Sequence, residues 1–225
     1  MAGNRTRQKI VECALELFNQ NGERNVSTNH IASSLGISPG NLYYHFRNKS
    51  DIIFELFKQY REGVVGYLQP PASSEVGLED LQHYLEAVFR GLWNYRFLHR
   101  DLESLLASDS RLREEYRIFT IRCLDVIEVI GQSLMSGRVL APQKPETLSA
   151  MVLNIWLVIT NWMAYLKTVQ ESSDSSIRES DLYRGIGQVL ILVHPYTDAR
   201  YRPAMEEIIQ DYQTFSSKLR QRLAG

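Results

Sequence analysis

The sequence predicts an all-α protein, with an N-terminal three-helix helix-turn-helix head and a larger C-terminal helical body. Three observations carry this. No two-residue hairpin turn separates runs of alternating polarity. Apolar residues recur at spacings of three and four, the period of a helix with one buried face. Ser, Gly and Pro fall where such periodic stretches begin and end. At ~150 residues per domain, 225 residues suggest one or two domains.

The first helix runs from about Thr6 to Gln20, with Ile10, Cys13, Ala14, Leu17 and Phe18 on one face. Gly22 is its stop, because glycine takes a left-handed conformation cheaply. Ser27 caps a second helix that ends at Gly36. Ser38 caps the third, and Pro39 occupies its first turn, where a missing N–H costs nothing. Ser50 is read as the cap of the fourth, which extends to about Val65. The breaker-rich stretch Gln69-Pro70-Pro71-Ala72-Ser73-Ser74 reads as a loop. The remaining helices are read as Leu78–Tyr95, Phe97–Ala107, Ser110–Ser136, Glu146–Val169, Asp181–Val193 and Pro203–Leu223. Asp109, the loop Gly137–Pro145, the Ser-rich Ser172–Ser176 and His194-Pro195 separate them.

Charge divides the chain near residue 50. The whole carries 25 Lys and Arg against 26 Asp and Glu, so a protein coated in positive charge is excluded. Residues 1–50 hold six basic and three acidic groups, a net +3, which leaves −4 for the rest. Two domains are therefore expected, residues 1–50 and 51–225. Cys13 and Cys123 lie too far apart for a zinc pattern and are too few for a disulfide framework, which fits a reducing cytoplasm. The N-terminus has no apolar core of a signal peptide. Leu148–Leu166 carries no charge over 19 residues, yet it contains Ser149, Asn154, Thr160 and Asn161. It is read as a core or subunit-interface helix and not as a membrane span.

Candidate functional residues gather in the third helix. At 100° per residue, Leu42 and Phe46 share one face and must be buried. Gly40 and Tyr44 lie opposite, Asn41 beside them, and Tyr43 and His45 at the rims. Exposed aromatics on so short a helix call for a covering partner, although Tyr43 and Tyr44 could instead pack on neighbouring helices. Duplex DNA suits this face: Asn pairs with base edges, Tyr touches a thymine methyl, and Tyr or His reaches phosphates. The turn Leu35-Gly36-Ile37-Ser38, flanked by Ile31 and Ala32, has the form that joins a DNA-reading helix pair, though any two packed helices can share it.

These residues together are similar to a known family. Ala14, Leu17, Phe18, Gly22, Ile31-Ala32, the run Leu35 to Phe46 and Lys49 resemble the DNA-binding head of the TetR family of bacterial transcriptional regulators, over roughly residues 6–55. The resemblance implies a homodimer that binds a palindromic double-stranded DNA operator through its heads. It also implies a C-terminal domain for dimerisation and for a small-molecule effector, which usually releases the protein from DNA. A repressor is expected. An activator of the same fold, or an effector-binding dimer whose head engages a protein, are the alternatives.

Residue by residue, the resemblance puts Ser27, Thr28 and Asn29 near phosphates and the groove edge. It puts Ser38, Pro39, Gly40, Asn41 and Tyr44 at base edges and groove wall, and Tyr43, His45 and Lys49 at phosphates. Thr28 stands where an apolar residue is common, and Asn29 where a basic one is frequent. Arg5 and Arg7, read as preceding the first helix, either contact DNA or lie on a solvated terminus.

In the body, Phe89, Trp93, Arg96, Phe97, His99, Tyr116, Phe119, Trp156, Asn161 and Trp162 are the candidate effector-binding residues. Small ligands are held in largely apolar cavities with a few polar anchors, so a largely apolar effector is expected, with Arg96, His99 or Asn161 as anchor. Core filling is the other reading for each. Glu146–Val169 and Asp181–Val193, the most apolar helices outside the head, are the expected dimer helices. No enzyme is expected. The five histidines show no metal-ligand spacing, and neither a P-loop nor a Gly-x-Ser-x-Gly elbow occurs. No metal or cofactor is expected.

Overall fold

The computed structural model describes residues 2–71, 76–169 and 177–223, with side chains from residue 5 to residue 213 within those spans. Parts of the expected loops at 69–74 and 172–176 therefore lie outside the described residues. The described helices are α1 (Ala2–Asn21), α2 (Thr28–Ser34), α3 (Pro39–His45), α4 (Lys49–Tyr67), α5 (Leu78–Asn94), α6 (Arg96–Arg100), α7 (Leu102–Ser108), α8 (Ser110–Ser136), α9 (Pro145–Thr168), α10 (Glu179–Val193) and α11 (Arg202–Leu223). No strand occurs among the described residues, only an isolated antiparallel bridge between Leu140 and Thr197. The protein is all-α, as the sequence predicts.

The chain forms two compact units. The first comprises Met1–Val64 and Asn94–Ile118, so it takes in more than residues 1–50. Its helix ends follow local chemistry. Gly22 (φ 84°) closes α1 and Gly36 (φ 65°) turns the chain between α2 and α3. Among the described residues no atom lies within 4 Å of a Cβ built on Gly36, so the backbone conformation and not space demands glycine there. The Ser27 hydroxyl accepts from His30 N (3.2 Å), while His30 Nδ1 accepts from Ser27 N (3.3 Å). Ser38 Oγ accepts from Asn41 N at 3.2 Å.

Three sequence expectations change in this unit. α1 begins at Ala2, so Arg5 and Arg7 lie on the helix and not before it. Asn48, not Ser50, caps α4: its Oδ1 accepts from Asp51 N at 2.9 Å. The single helix expected over Phe97–Ala107 breaks at Asp101 (φ −114°, ψ 15°) into α6 and α7. Beside the break, Arg100 donates at 2.8 Å to Phe18 O, which also accepts from Gly22 N at 3.0 Å near the end of α1.

The core of this unit is built from Ile10, Ala14 and Phe18 of α1, Ile31 and Ala32 of α2, Leu42 and Phe46, Leu56 and Phe57 of α4, and Phe97 and Leu98 of α6. Phe18 and Phe97 pack with ring centroids 5.3 Å apart. Asn19 ties the same helices, donating to Asn94 O (2.8 Å) and accepting from Phe97 N (3.1 Å). The three head helices are thus bolted to α6 by apolar burial, with amide bonds at the edge.

The second unit comprises Val65–Trp93 and Phe119–Gly225. Here α10 packs between α9 and α11. Its Gly185 faces Phe89 and Trp162, and a Cβ there would lie 2.8 Å from Phe89 Cζ and 2.8 Å from Trp162 Cδ1. Trp162 Nε1 donates to Asp181 O at 3.1 Å, fixing α9 to the start of α10. The Tyr212 hydroxyl of α11 donates to Glu86 of α5 at 2.7 Å. α9 is long and apolar enough to cross a membrane. Leu148, Met151, Val152, Ile159, Met163 and Leu166 are buried, while Leu153, Leu157 and Tyr165 are exposed.

Candidate nucleic-acid interface

The two faces of α3 differ as its periodicity requires. Leu42 and Phe46 are buried, which fixes the rotation of the helix. Ser38, Pro39, Gly40, Asn41 and Tyr44 are then exposed on the opposite side. Tyr44 is 84% exposed, an unusual placement for a ring of that size. Among the described residues its one ring partner is its neighbour His45, edge-on at 5.1 Å. His45 is half-buried and Asn29 of α2 is exposed.

Tyr43 is also exposed, and its hydroxyl lies 3.0 Å from Thr28 Oγ1. This bond links α2 to α3 and explains a hydroxyl where an apolar side chain is common. Tyr43 and Thr28 help line a concavity of about 520 Å³, together with Arg24, Asn25, Val26, Ser27, His30, Arg47, Asn48 and Lys49. Because His30 Nδ1 accepts a hydrogen bond, the neutral ring carries its proton on Nε2 and is a donor there.

Lys49 lines this concavity but is put to another use than the phosphate contact expected of it. Its Nζ lies 2.6 Å from Glu23 Oε1, 3.0 Å from Glu23 O and 3.1 Å from Val26 O. An ammonium has three N–H donors, and all three are taken. Arg7 is likewise engaged: it bonds Glu55 at 2.6 Å and covers the Phe46 ring. Arg7 holds the Glu55 carboxyl down at about 2. Arg5 is exposed.

An exposed, polar and aromatic helix face beside a basic concavity, on a Gly-turned helix pair, is the geometry of a major-groove reader. Comparison with known proteins agrees. Residues 10–56 match the family model of bacterial regulatory proteins of the tetR family, and residues 59–205 match the TetR model of bacterial transcriptional repressors. The chain belongs to the TetR family.

A TetR-family transcriptional regulator from Marinobacter aquaeolei VT8 is 53% identical, with a TM-score of 0.85 over 92% of this chain and 98% of that one. An HTH-type transcriptional regulator of Staphylococcus aureus is 47% identical over 53 residues, 24% of this chain. That match spans only 29% of the relative's own length. A transcriptional regulator from Saccharomonospora viridis, solved in complex with choline, shares the fold at 19% identity, with a TM-score of 0.66 over 87% of this chain and 99% of that one. TetR-family proteins are transcriptional regulators with helix-turn-helix DNA-binding domains, not enzymes.

The ten body residues expected around an effector are divided between the two units. Arg96, Phe97, His99 and Tyr116 belong to the first, and Phe89, Trp93, Phe119, Trp156, Asn161 and Trp162 to the second. Phe97 is wholly buried against Phe18. His99 is buried, with Nε2 3.0 Å from the Tyr60 hydroxyl and Nδ1 without a hydrogen-bond partner among the described residues. Desolvation lowers its pKa to about 4, so the ring is neutral. In the second unit Phe89 and Trp162 flank Gly185, and Phe119 and Trp156 pack edge to face at 6.3 Å. Asn161 is exposed and bonds back to Leu157 O on its own helix. Burial pushes the Cys123 thiol up to about 12, which leaves it unreactive near neutral pH.

The sequence reading missed Arg24, His30 and Arg47 at the head. Arg24 and Arg47 were counted in the +3 charge of residues 1–50 and His30 was not, and only the fold brings the three to one concavity.

Proposed function

We propose that the protein is a ligand-responsive repressor that binds a palindromic operator as a homodimer and is released by a small-molecule effector. The observation that carries the reading is the exposed face of Gly40, Asn41 and Tyr44 opposite buried Leu42 and Phe46. Residues 1–50 supply the DNA contacts, with Ser27, Thr28 and Asn29 at the groove edge, Ser38 to Asn41 and Tyr44 in the groove, and Tyr43 and His45 at phosphates. Residues 51–225 bind the effector and dimerise. Two-fold proteins read half-sites about 34–36 Å apart or a multiple of this, so a palindrome follows from the dimer.

The dimer is supported by α9, whose exposed Leu153, Leu157 and Tyr165 recur every four or eight residues along one uncharged stripe. Such a stripe favours an apolar partner over water, and family membership supports a protein that acts in the cytoplasm. A largely apolar small molecule is the effector. The choline-bound neighbour supports the capacity of this fold to hold a small ligand. The effector favours a conformer whose heads are wrongly spaced for the operator, coupled through α4. A coupling of about 1–3 kcal/mol changes DNA affinity roughly 5–150-fold.

The deciding experiment is selection of bound genomic fragments by the purified protein. Enrichment of one palindromic sequence is expected. No enrichment would sink the reading and favour a protein partner for the head. An effector that left operator affinity unchanged would remove the release mechanism.

A further inference from the structure

Lys49 is the head's expected phosphate-binding cation, yet its three donors are spent on Glu23 and the carbonyls of Glu23 and Val26. Those carbonyls bracket the short 3₁₀ turn Glu23–Asn25. The ammonium therefore fastens the turn that carries Arg24. The acidic groups nearest in sequence are engaged as well: Glu23 with Lys49, and Asp51 with Arg111 at 3.0 Å. Arg24 and Arg47 are exposed, both border the concavity beside the Thr28–Tyr43 bond, and neither makes an ion pair or side-chain hydrogen bond among the described residues.

Two uncompensated guanidinium groups around one concavity, with tyrosine and threonine hydroxyls and the His30 Nε2 donor on its wall, make a site for a tetrahedral oxyanion. Arginine offers a planar fork that bonds phosphate oxygens in pairs, and exposed arginine loses little by leaving bulk water for such a partner. We propose that Arg24 and Arg47 are the phosphate-binding cations of this head, seating one DNA backbone segment in the concavity, and that Lys49 is a positioning residue which holds the Arg24 turn. This rests on the reading of the head as DNA-binding and departs from the role expected of Lys49.

The test uses the full-length protein and a non-specific duplex, with affinity measured by fluorescence anisotropy between 50 and 200 mM salt, a range set by where counterion release is steep. Each of Arg24→Ala and Arg47→Ala is expected to flatten the plot of log affinity against log salt by about 0.9 per bound head, and the double variant by about twice that. Arg24→Lys and Arg47→Lys keep the charge and most of the slope. Lys49→Met lowers the urea midpoint and, by loosening the Arg24 turn, flattens the slope by no more than Arg24→Ala does. A wild-type slope in the double alanine variant overturns the proposal. So does a flattened slope in Lys49→Met with an unchanged midpoint. Should Lys49→Met fail to fold, the arginine variants, altered only at the surface, still decide. A wild-type protein with no salt-dependent duplex binding would instead overturn the DNA reading, and the proposal with it.

Discussion

The Lys49 ammonium sits 2.6 Å from the Glu23 carboxylate, joining the start of α4 to the turn after α1. Glu23 is buried and the Lys49 side chain is 30% exposed. Removing the carboxylate leaves the half-buried ammonium on two backbone carbonyls, without its charged partner. Glu23→Ala should therefore destabilise the protein by about 2–3 kcal/mol. A lower urea midpoint at unchanged slope is the expected readout, and a midpoint equal to wild type would show the pair to be incidental.

Tyr44 presents the opposite case, a large ring with almost nothing beneath it. Its truncation should leave stability within about 0.5 kcal/mol of wild type. Operator affinity should nevertheless fall by about 1–3 kcal/mol, the worth of a good base contact, with non-specific affinity little changed. Paired titrations of Tyr44→Ala on operator and random duplex check this. Equal losses on both would move Tyr44 from readout to backbone.

Gly185 and Gly187 stand two residues apart on α10 and should answer alanine differently. A methyl on Gly185 would press into the rings of Phe89, which is wholly buried, and Trp162, which is tied to Asp181 O. Overpacking of this kind costs about 1–3 kcal/mol. A methyl on Gly187 would meet Tyr212 Cβ at 3.4 Å, an ordinary contact, and gains up to ~1 kcal/mol of helix propensity. Chemical denaturation of the two variants should separate them, and equal midpoints would contradict the packing described.

Acid should loosen the first unit through His99. Its pKa is lowered from 6.5 to about 4 in the folded protein because burial disfavours the imidazolium. Between those values the unfolded chain binds the extra proton, so stability is full above pH 6.5 and falls as pH drops toward 4. The loss should total roughly 3 kcal/mol. Measuring stability from pH 7 to 4.5 keeps clear of Glu55, whose loss of stabilisation lies between 4.5 and about 2. His99→Leu should flatten the curve in the upper window, and an unchanged curve would exclude His99 as its source.

The α9 stripe tests the dimer. Leu157 is 49% exposed on a face with no charge. Leu157→Glu should convert a dimer to a monomer in sedimentation analysis, because a carboxylate buried between apolar helices is costly to desolvate. A dimer as tight as wild type would place the interface elsewhere.

The sequence by itself determined the helices and the rotation of α3. Both are local properties: the spacing of Leu42 and Phe46 dictates which side is buried, and Ser27, Ser38, Gly22 and Gly36 cap or end helices through bonds and backbone angles within a few residues. Family membership was legible for the same reason, since its motif falls within one short stretch of chain, most of it in the run Leu35 to Phe46. The tertiary structure alone decided how the charges are spent. Lys49 and Arg7 look like free cations in a basic head, but Glu23 and Glu55, 26 and 48 residues away, neutralise them. The break at Asp101 and the division of the aromatic residues between two units were equally hidden. Ion pairing, ring packing and burial depend on which distant segments meet, and residue spacing along the chain carries no record of that. The +3 of the head is therefore real, but the fold leaves much of its outward-facing share to Arg24 and Arg47.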